Sequence, residues 1–277
     1  MPEGDTIFRA ARTLHRALAG HRVTQFESVF PRLTRVHDDH PITGRTVERV
    51  ESRGKHLLMH FSGDLILRTH MLMTGSWHLY RPGERWQRPR GDMRVLIATA
   101  SFVAVAFSIQ VAELETAQSL ARVRVLRSLG PDLLSDAFDP ADALTRLRAQ
   151  DTRPIGEALL NQRVMAGIGN VFKSETLFVS GVNPFVPVAS LTDDRLRSVI
   201  ATARKLLRVN ISPTAGSGII TYKGLRRTTG RAKESEGLWV YSRRDEPCRK
   251  CGTPISYLKS GPDARSTYWC PRCQAPE

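Results

Sequence analysis

The stretch CRKCGTPISYLKSGPDARSTYWCPRC, residues 248–273, decides how the C-terminal part of the chain folds. It holds all four cysteines, as two C-x2-C pairs separated by eighteen residues. Two thiolates from each tight knuckle complete the four ligands of a tetrahedral zinc ion, and a reducing compartment favours this over disulfides. We therefore predict that Cys248, Cys251, Cys270 and Cys273 bind one structural zinc ion. A redox-active or incidental pair of knuckles is the alternative.

The charge of the chain indicates a polyanionic partner. The 277 residues include 41 Lys and Arg against 27 Asp and Glu, a net charge of +14 with neutral histidines. Such an excess faces solvent and attracts polyanions. Arginine use that follows a high-GC genome is the alternative. The chain has no apolar stretch of about 18 residues and no signal-peptide pattern, so we expect a soluble cytoplasmic protein without a membrane partner.

The hydrophobic pattern predicts an α+β protein. Residues 5–19 carry apolar side chains at helical spacing, with Asp5 or Thr6 able to cap the start and Gly20 placed to end the helix. From about Thr46 to Ser108, short apolar or alternating runs predict an antiparallel β-sandwich or barrel. Further on, the patterns predict helices at 154–162, 171–178 and 192–209.

These patterns also suggest domain boundaries. The turn-rich sequence around RSLGPDLLSDAFDPAD, residues 127–142, is typical of a passage between two lobes. We place the boundaries as follows: 1–127 for the N-terminal β-sandwich, 128–150 for a linker, 151–238 for the helical domain and 239–277 for the zinc finger.

The sequence AGIGN, residues 166–170, predicts a tight turn between two helices. Two glycines permit the turn and leave backbone N–H groups exposed at the start of the second helix. Helix N-termini bind phosphate, and Asn170 adds an amide donor there. An ordinary glycine-containing turn is the alternative.

Four motifs, in order, resemble one known family. They are MPEGDT at 1–6, SRGKHL at 52–57, GIGN at 167–170 and the cysteine segment. They are similar to those of the formamidopyrimidine-DNA glycosylase and endonuclease VIII family of base-excision repair enzymes. The resemblance covers both lobes. It implies an N-terminal β-sandwich flanked by helices, a helical lobe with a helix-two-turn-helix motif, a zinc finger, and damaged DNA in the cleft between. We expect a monomer associated with a bacterial nucleoid.

The resemblance implies a catalytic role for the N-terminus. Removal of Met1 would give Pro2 a free secondary amine, and an α-amino group titrates about two to three pH units below lysine. Such an amine is a nucleophile near neutral pH and forms a Schiff base with deoxyribose. The family implies that Glu3 is the proton donor for base loss and that Lys55 is the proton donor for β-elimination.

Other residues are implied to hold DNA. Arg265 of the finger is implied to contact phosphate and to donate the proton for δ-elimination. Met73, in THMLMTGSW, aligns with an apolar wedge that fills the gap left by a flipped base. His70 is implied to contact phosphate, as is Asn170. A core methionine and a satisfied polar histidine are the alternatives at the first two positions.

One departure indicates the branch of the family. Formamidopyrimidine glycosylases carry a D-P-R-R-F-G loop, which the region LETAQSLARVRVLRSLGPD, residues 114–132, lacks. This absence and the MPEGDT opening favour the endonuclease VIII branch, whose implied substrates are oxidised pyrimidines such as thymine glycol and dihydrouracil. The alternatives are a purine glycosylase for 8-oxoguanine and formamidopyrimidines, or a non-catalytic protein that binds damaged DNA. The basic segment 221–237 is predicted to be a loop near the flipped base or a linker.

Overall fold

The computed structural model describes residues 2–212 and 234–276 and divides the chain into two compact units, Met1–Ser128 and Leu129–Glu277. None of the helices within these residues combines the length and apolarity that crossing a bilayer requires. The predicted loop or linker at 221–237 lies largely outside the described residues.

The first unit is an antiparallel β-sandwich. Its strands are β1 (Gln25–Ser28), β2 (Val47–Arg53), β3 (His56–Phe61), β4 (Leu65–His70), β5 (Ser76–Tyr80), β6 (Met93–Ala98), β7 (Val103–Phe107) and β8 (Val111–Glu115). They form two four-stranded sheets with the orders β1-β6-β7-β5 and β2-β3-β4-β8. The predicted α+β class and the N-terminal sandwich are confirmed.

Alternation along the strands builds the interior of this unit. Leu57, Met59 and Phe61 of β3 share one buried core with Val95 and Ile97 of β6. The side chains between them, such as Leu58 and His60, face the other side of the sheet, because successive residues of a strand face opposite sides, and they are buried there too. Each fully buried aliphatic or aromatic side chain stabilises the fold by about 1.5–3 kcal/mol.

Helices cover the edges of the sandwich. They are α1 (Gly4–Leu18), α2 (Pro31–Asp39), α3 (Ala117–Arg122) and α4 (Arg124–Arg127). The apolar stripe of α1, at the predicted helical spacing, lies in the core. Gly20 has φ 79°, as expected of a residue that ends a helix. The N-cap is Glu3, and its side chain makes no capping hydrogen bond, so the capping role predicted for Asp5 or Thr6 is wrong.

Helix α1 runs antiparallel to β2. The amide of Gly20 donates to the carbonyl of Val47 at the start of β2 (2.8 Å). Further along, the amide of Val50 donates to Nδ1 of His15 (3.1 Å). The helix and β2 therefore run in opposite directions, and the N-terminus of the helix lies toward the turn that joins β2 to β3.

The second unit is mainly helical. Its helices are α5 (Pro140–Arg148), α6 (Ile155–Ala158), α7 (Asn170–Val179) and α8 (Asp193–Asn210). Both α5 and α7 pack against α8. Thr192 caps α8 by accepting from the amide of Arg195 (3.3 Å). The helices predicted at 171–178 and 192–209 are present.

The helix predicted at 154–162 is much shorter than expected. Only α6, of four residues, is α-helical, and turns follow it. The side chain of Gln162 explains the change, because its Nε2 donates to the carbonyls of Leu160 (2.9 Å) and Ile168 (3.0 Å) and its Oε1 accepts from the amide of Gly167 (3.1 Å). These bonds replace those that a continued helix would make.

The predicted boundaries stay predictions, although one segment has a defined structure. Residues 128–150, predicted as a linker, contain α5, whose contacts with α8 lie within the second unit. Asp139 caps α5 by accepting from the amide of Ala141 (2.8 Å). The end of the chain forms a two-stranded antiparallel hairpin of β9 (Ser256–Ser260) and β10 (Arg265–Trp269).

Candidate active site and zinc centre

A two-residue turn places Lys55 at one end of the sandwich. The last residue of β2, Arg53, pairs with the first of β3, His56, so Gly54 and Lys55 alone make the turn. Gly54 has φ 58°, which suits the first central position of a type II′ hairpin turn, where glycine is preferred. The motif SRGKHL therefore holds Lys55 on a rigid hairpin.

The N-terminus lies at the same end of the sandwich. The antiparallel run of α1 along β2 brings Pro2 and Glu3 toward the turn that holds Lys55. Pro2 is partly exposed, whereas Glu3 is completely buried. The carbonyl of Glu3 accepts from the amide of Ile7 (3.1 Å), which fixes the residue directly before the helix.

A pair of histidines completes this end. His70, the last residue of β4, pairs with His56 of β3, and their ring centroids are 4.7 Å apart. Burial, followed by the positive charges of Lys55 and Arg68, lowers the pKa of His70 to about 4. Nδ1 of His70 accepts from the amide of Leu72 (3.0 Å), so the neutral ring carries its proton on Nε2. His70 is thus a neutral donor.

Behind the histidines lies a buried arginine. Arg68 contacts Nδ1 of His56 (3.3 Å) and forms an ion pair with Glu113. Burial is the largest cause of the lowered pKa of His56, about 3, and the charges of His70 and Arg68 add to it. Both histidines are therefore neutral at pH 7.

The turn between β4 and β5 presents two apolar side chains to solvent. Met73 is 57% exposed and Leu72 is 37% exposed. Gly75 has no room for a side chain, since a Cβ there would lie 2.5 Å from the carbonyl oxygen of Met71. We call residues 71–75 the wedge turn. Its exposed Met73 contradicts the core alternative for that residue.

The wedge turn is anchored from beneath. The indole Nε1 of Trp77, just after the turn, donates to Oγ1 of Thr69, just before it (3.2 Å). Thr69 is completely buried between the sheets. Because the turn is fixed at both ends, it can present its apolar side chains to a ligand without a separate ordering step.

In the second unit, the GIGN motif forms the turn before α7. Gly167 has φ 112°, and Gly169 is the N-cap of the helix. Asn170 is the first residue of α7 and is buried, and its Oδ1 has no hydrogen-bond partner among the described residues. Residues 164–178 are all buried, so the backbone N–H groups predicted to be exposed at this helix start are not. A helix N-terminus with an adjacent amide side chain suits an anion.

Two buried charged residues of α7, which the sequence analysis missed, hold the C-terminal segment. Lys173 is 1% exposed, and its Nζ donates to the carbonyl of Ser266 (2.9 Å) and to Oγ1 of Thr267 (2.7 Å). The carboxylate of Glu175 accepts from three consecutive amides, at 2.8 to 2.9 Å, which belong to residues 239–241. Charged residues in a predicted helix normally indicate a solvent face, so no local pattern indicates this role.

Arg265 opens β10 at the tip of the hairpin. It lies across from Ser260, and its guanidinium is 3.3 Å from the carboxylate of Asp263. Its side chain is 45% exposed, so it is accessible to a ligand. Because Lys173 holds the two residues that follow it, the start of β10 is fixed to α7.

The four cysteines form a metal site. Their Sγ atoms all lie within 4.8 Å of one another, where a tetrahedral site with Zn–S bonds of about 2.3 Å needs sulfurs about 3.8 Å apart. Cys248 accepts from the amide of Lys250, and Cys270 accepts from that of Cys273, each at 3.4 Å. Such bonds stabilise thiolates in a knuckle.

Gln274 fastens the second knuckle to the rest of the unit. It is completely buried. Its Oε1 accepts from the amide of Cys270 (3.0 Å), and its Nε2 donates to the carbonyl of Val182 (2.8 Å). The knuckle is therefore held by the loop after α7 as well as by metal ligation.

Three domain families match the chain. Residues 1–110 match the formamidopyrimidine-DNA glycosylase N-terminal domain, and residues 129–222 match the formamidopyrimidine-DNA glycosylase H2TH domain. Residues 245–276 match the zinc finger found in FPG and IleRS. The predicted cofactor is thereby confirmed as one structural zinc ion.

Similar proteins cover the whole chain. The probable endonuclease 8 2 of Streptomyces coelicolor is 43% identical, over 99% of this chain and 94% of its own length. The DNA-(apurinic or apyrimidinic site) lyase Nei2 of Mycolicibacterium smegmatis is 38% identical, over 99% of both chains. Endonuclease 8 of Escherichia coli is 33% identical, over 99% of this chain and all of its own.

Solved structures share the fold. A mutant Lactococcus lactis FPG in complex with Fapy-dG-containing DNA has a TM-score of 0.82 at 24% identity, over 99% of this chain and 100% of that chain. The wild-type L. lactis enzyme, bound to DNA with an oxidised pyrimidine, has the same TM-score at 23% identity. At these identities the likeness shows the fold alone.

The sandwich, the helix-two-turn-helix domain and the four-cysteine finger define a DNA glycosylase with AP lyase activity. Within that class, the chain belongs to the formamidopyrimidine-DNA glycosylase and endonuclease VIII family, as the four sequence motifs indicate.

Proposed function

We propose that this chain is a base-excision repair enzyme that removes oxidised pyrimidines from DNA and then cleaves the strand, with Pro2 as nucleophile. The observation that carries the proposal is the single end of the sandwich toward which Pro2, Glu3, Lys55 and His70 all lie. The relatives named endonuclease 8, at 33% to 43% identity over full length, support it.

The first step is displacement of the damaged base. The free amine of Pro2 attacks C1′ of the flipped nucleotide as the C1′–N bond breaks. Glu3, which is completely buried directly after Pro2, supplies a proton to the base or sugar. The Pro2 nitrogen loses its proton to the departing base, and the C1′–O4′ bond then breaks, with O4′ taking a proton. The nitrogen lone pair forms an iminium ion between Pro2 and C1′, which is cationic without an added proton because the amine is secondary.

Strand cleavage follows from that cation. The iminium acidifies the C2′ hydrogens, so loss of one expels the 3′-phosphate in β-elimination, and a further proton loss expels the 5′-phosphate in δ-elimination. Lys55, on its rigid hairpin, is the proposed proton donor of the first elimination, and Arg265 is that of the second. Neutral His70 donates from Nε2 to a backbone phosphate.

The same proposal includes the residues that bind DNA, the binding partner and the location in the cell. Asn170, at the start of α7, binds phosphate, and Met73 fills the space left by the flipped nucleotide. The partner is damaged DNA, bound by a monomer. The net charge of +14 favours this partner and a location on the bacterial nucleoid.

Thymine glycol and dihydrouracil are the proposed substrates. The relatives' name, endonuclease 8, and the absence of a D-P-R-R-F-G loop favour pyrimidines over purines. Because no such loop reads the opposite base, preference for that base should be weak.

Borohydride trapping tests the proposal. Purified protein is reacted with duplexes that carry thymine glycol or 8-oxoguanine, and the cross-linked peptide is identified by mass. We expect a cross-link at Pro2, mainly on thymine glycol, in protein whose N-terminal mass shows that Met1 is removed. The Pro2→Gly variant should lose lyase product sharply. Glu3→Gln should lower the excision rate roughly 100-fold or more while DNA binding persists; exposed Glu48→Gln is the matched control.

The outcomes separate the alternatives. Trapping mainly on 8-oxoguanine would retain the mechanism and reassign the substrate to purines. No cross-link on either duplex, despite tight binding and a free N-terminal amine, would leave a non-catalytic DNA-binding protein.

A further inference from the structure

An arginine-rich loop covers the outer face of one sheet in the first unit. The sequence RPGERWQRPRGD, residues 81–92, contains four arginines against two carboxylates. It joins β5 to β6 and packs over the face of the β1-β6-β7-β5 sheet that points away from the sandwich interior. We call residues 81–92 the arginine loop.

Aromatic packing holds the arginine loop in place. Trp86 stacks on Tyr80 with ring centroids 6.3 Å apart and meets the edge of Phe107 at 5.6 Å. The amide of Gln87 donates to the hydroxyl of Tyr80 (3.1 Å). A loop held by a buried aromatic cluster loses little conformational freedom when it binds a ligand.

The same rings fix two arginines. The guanidinium of Arg90 lies 5.7 Å from the ring centre of Trp86, and that of Arg88 lies 6.0 Å from the ring centre of Phe107. The side chain of Arg90 is 76% exposed, with one guanidinium nitrogen 3.7 Å from the carboxylate of Glu27, and Arg85 is also exposed. The loop therefore presents ordered guanidinium groups to solvent, with planes suited to bidentate contact with phosphate.

The strand register places the end of the loop near the wedge turn. Ser76, which follows the wedge turn, and Met93, which follows the arginine loop, both pair with Phe107 of β7. They flank one central strand, so about 10 Å separates them. The loop runs back across the sheet from Tyr80 and ends at the same end of the sandwich as the wedge.

Charge distinguishes this face from the opposite one. The outer face of the β2-β3-β4-β8 sheet carries Glu51, Glu113 and Glu115, which lie across from Leu58, Arg68 and Ile66. Glu51 pairs with Arg49 and Glu113 pairs with Arg68, so much of the charge on that face is neutralised. The arginine loop has two more arginines than carboxylates and attracts a polyanion more strongly. The complementary partner is the phosphate backbone of DNA.

We propose that the arginine loop is a second phosphate-binding surface, which holds the duplex beside the nucleotide that the wedge turn displaces. Arg85 and Arg90 make the contacts, and the ring of Trp86 holds Arg90 in position. The proposal rests on the proposed function, since it requires that DNA lie against the wedge turn. Phosphate contacts carry no sequence information, so the loop adds affinity and register without lesion preference.

Salt dependence of binding tests this surface. The double variant Arg85→Gln/Arg90→Gln is compared with wild type on a duplex with a central tetrahydrofuran site and on the intact duplex. We expect the slope of log Kobs against log salt to fall in magnitude by about 2 and the affinity to fall roughly tenfold, equally on both duplexes. Arg49→Gln, an exposed change on the opposite face, is the matched control.

Two results would overturn the proposal. One is a slope and affinity that match those of wild type; the other is a loss no greater than that of Arg49→Gln. Binding to the intact duplex requires no catalysis. If the wild-type protein failed to form a cross-link at Pro2, the proposed function would be refuted, and the salt-dependence test of the arginine loop would still be valid.

Discussion

At the residue scale, the histidine pair makes the first unit sensitive to acid. The pKa of His56 is lowered to about 3 and that of His70 to about 4, both chiefly by burial, whereas an unfolded histidine titrates near 6.5. The unfolded chain therefore binds more protons below about pH 6.5. Stability is complete above that pH and is lost as the pH falls toward 4.

His56→Gln should weaken this dependence. Glutamine offers Arg68 an acceptor in place of Nδ1 and does not titrate. We expect the thermal unfolding midpoint of wild type to fall between pH 6.5 and 4.5 and that of the variant to fall less, by about 2–4 °C for each kcal/mol of linkage removed. Exposed His21→Gln is the control. Parallel curves for His56→Gln and wild type would contradict the shifted pKa.

At the level of single residues, the sequence predicted functional residues only where it contains a motif of the family. Pro2, Glu3 and Lys55 were found through resemblance, since a terminal proline or a turn lysine has no distinctive physical signal. Lys173 and Glu175 escaped notice because burial of charge depends on partners about 64 to 94 residues away in the chain. No local pattern contains that information.

At the element scale, a substitution in the wedge turn should lower activity without changing stability. Met73 is 57% exposed, so Met73→Ala should leave the unfolding midpoint unchanged. Excision from duplex DNA should fall roughly tenfold, because a gap left by flipping costs a few kcal/mol of stacking. Excision of the same lesion from a single strand should be unaffected, as there is no stack to fill.

Single-turnover rates on matched duplex and single-stranded thymine glycol substrates measure this difference. Val29→Ala, which is similarly exposed, is the control. An equal loss on both substrates would mean that Met73 acts in chemistry or binding and not as a wedge.

The attachment of the finger to α7 gives a second prediction at this scale. Glu175→Ala removes the acceptor of three backbone amides, one of them fully buried, a loss of about 3–5 kcal/mol. We expect a lower thermal midpoint and faster zinc transfer to a chromogenic chelator. Exposed Lys259→Ala on the same finger is the control, and an unchanged zinc release rate would show that metal ligation alone holds the finger.

Elements were predicted unevenly, for physical reasons. Long amphipathic helices such as α1 and α8 carry enough periodic positions to be recognised, and apolar strand runs such as β3 are equally clear. Helix α6 is short because Gln162 redirects its hydrogen bonds, a tertiary effect. Helix α5 was missed because it lies in a turn-rich sequence. Asp139 and Pro140, which begin the helix, are typical of a helix start but also of a turn.

For the whole molecule, zinc should support the second unit and not the first. The hairpin of β9 and β10 has two strands, which are marginal without a metal or a larger core. Chelation of zinc should therefore expose the amides of residues 239–276 to hydrogen exchange and weaken DNA binding, while the sandwich amides stay protected. Restored protection on adding zinc is the control, and loss of protection in both units together would contradict independent folding.

The contacts of α7 also bear on how such proteins can be recombined. A finger transplanted from a relative would arrive with its knuckles and hairpin intact, yet its docking groups, Lys173 and Glu175, lie outside any segment bounded by the cysteines. A chimera joined at residue 239 would combine the finger of one protein with the docking residues of another. Moving the cut to include α7 would transfer the finger together with the part of the helix that receives it.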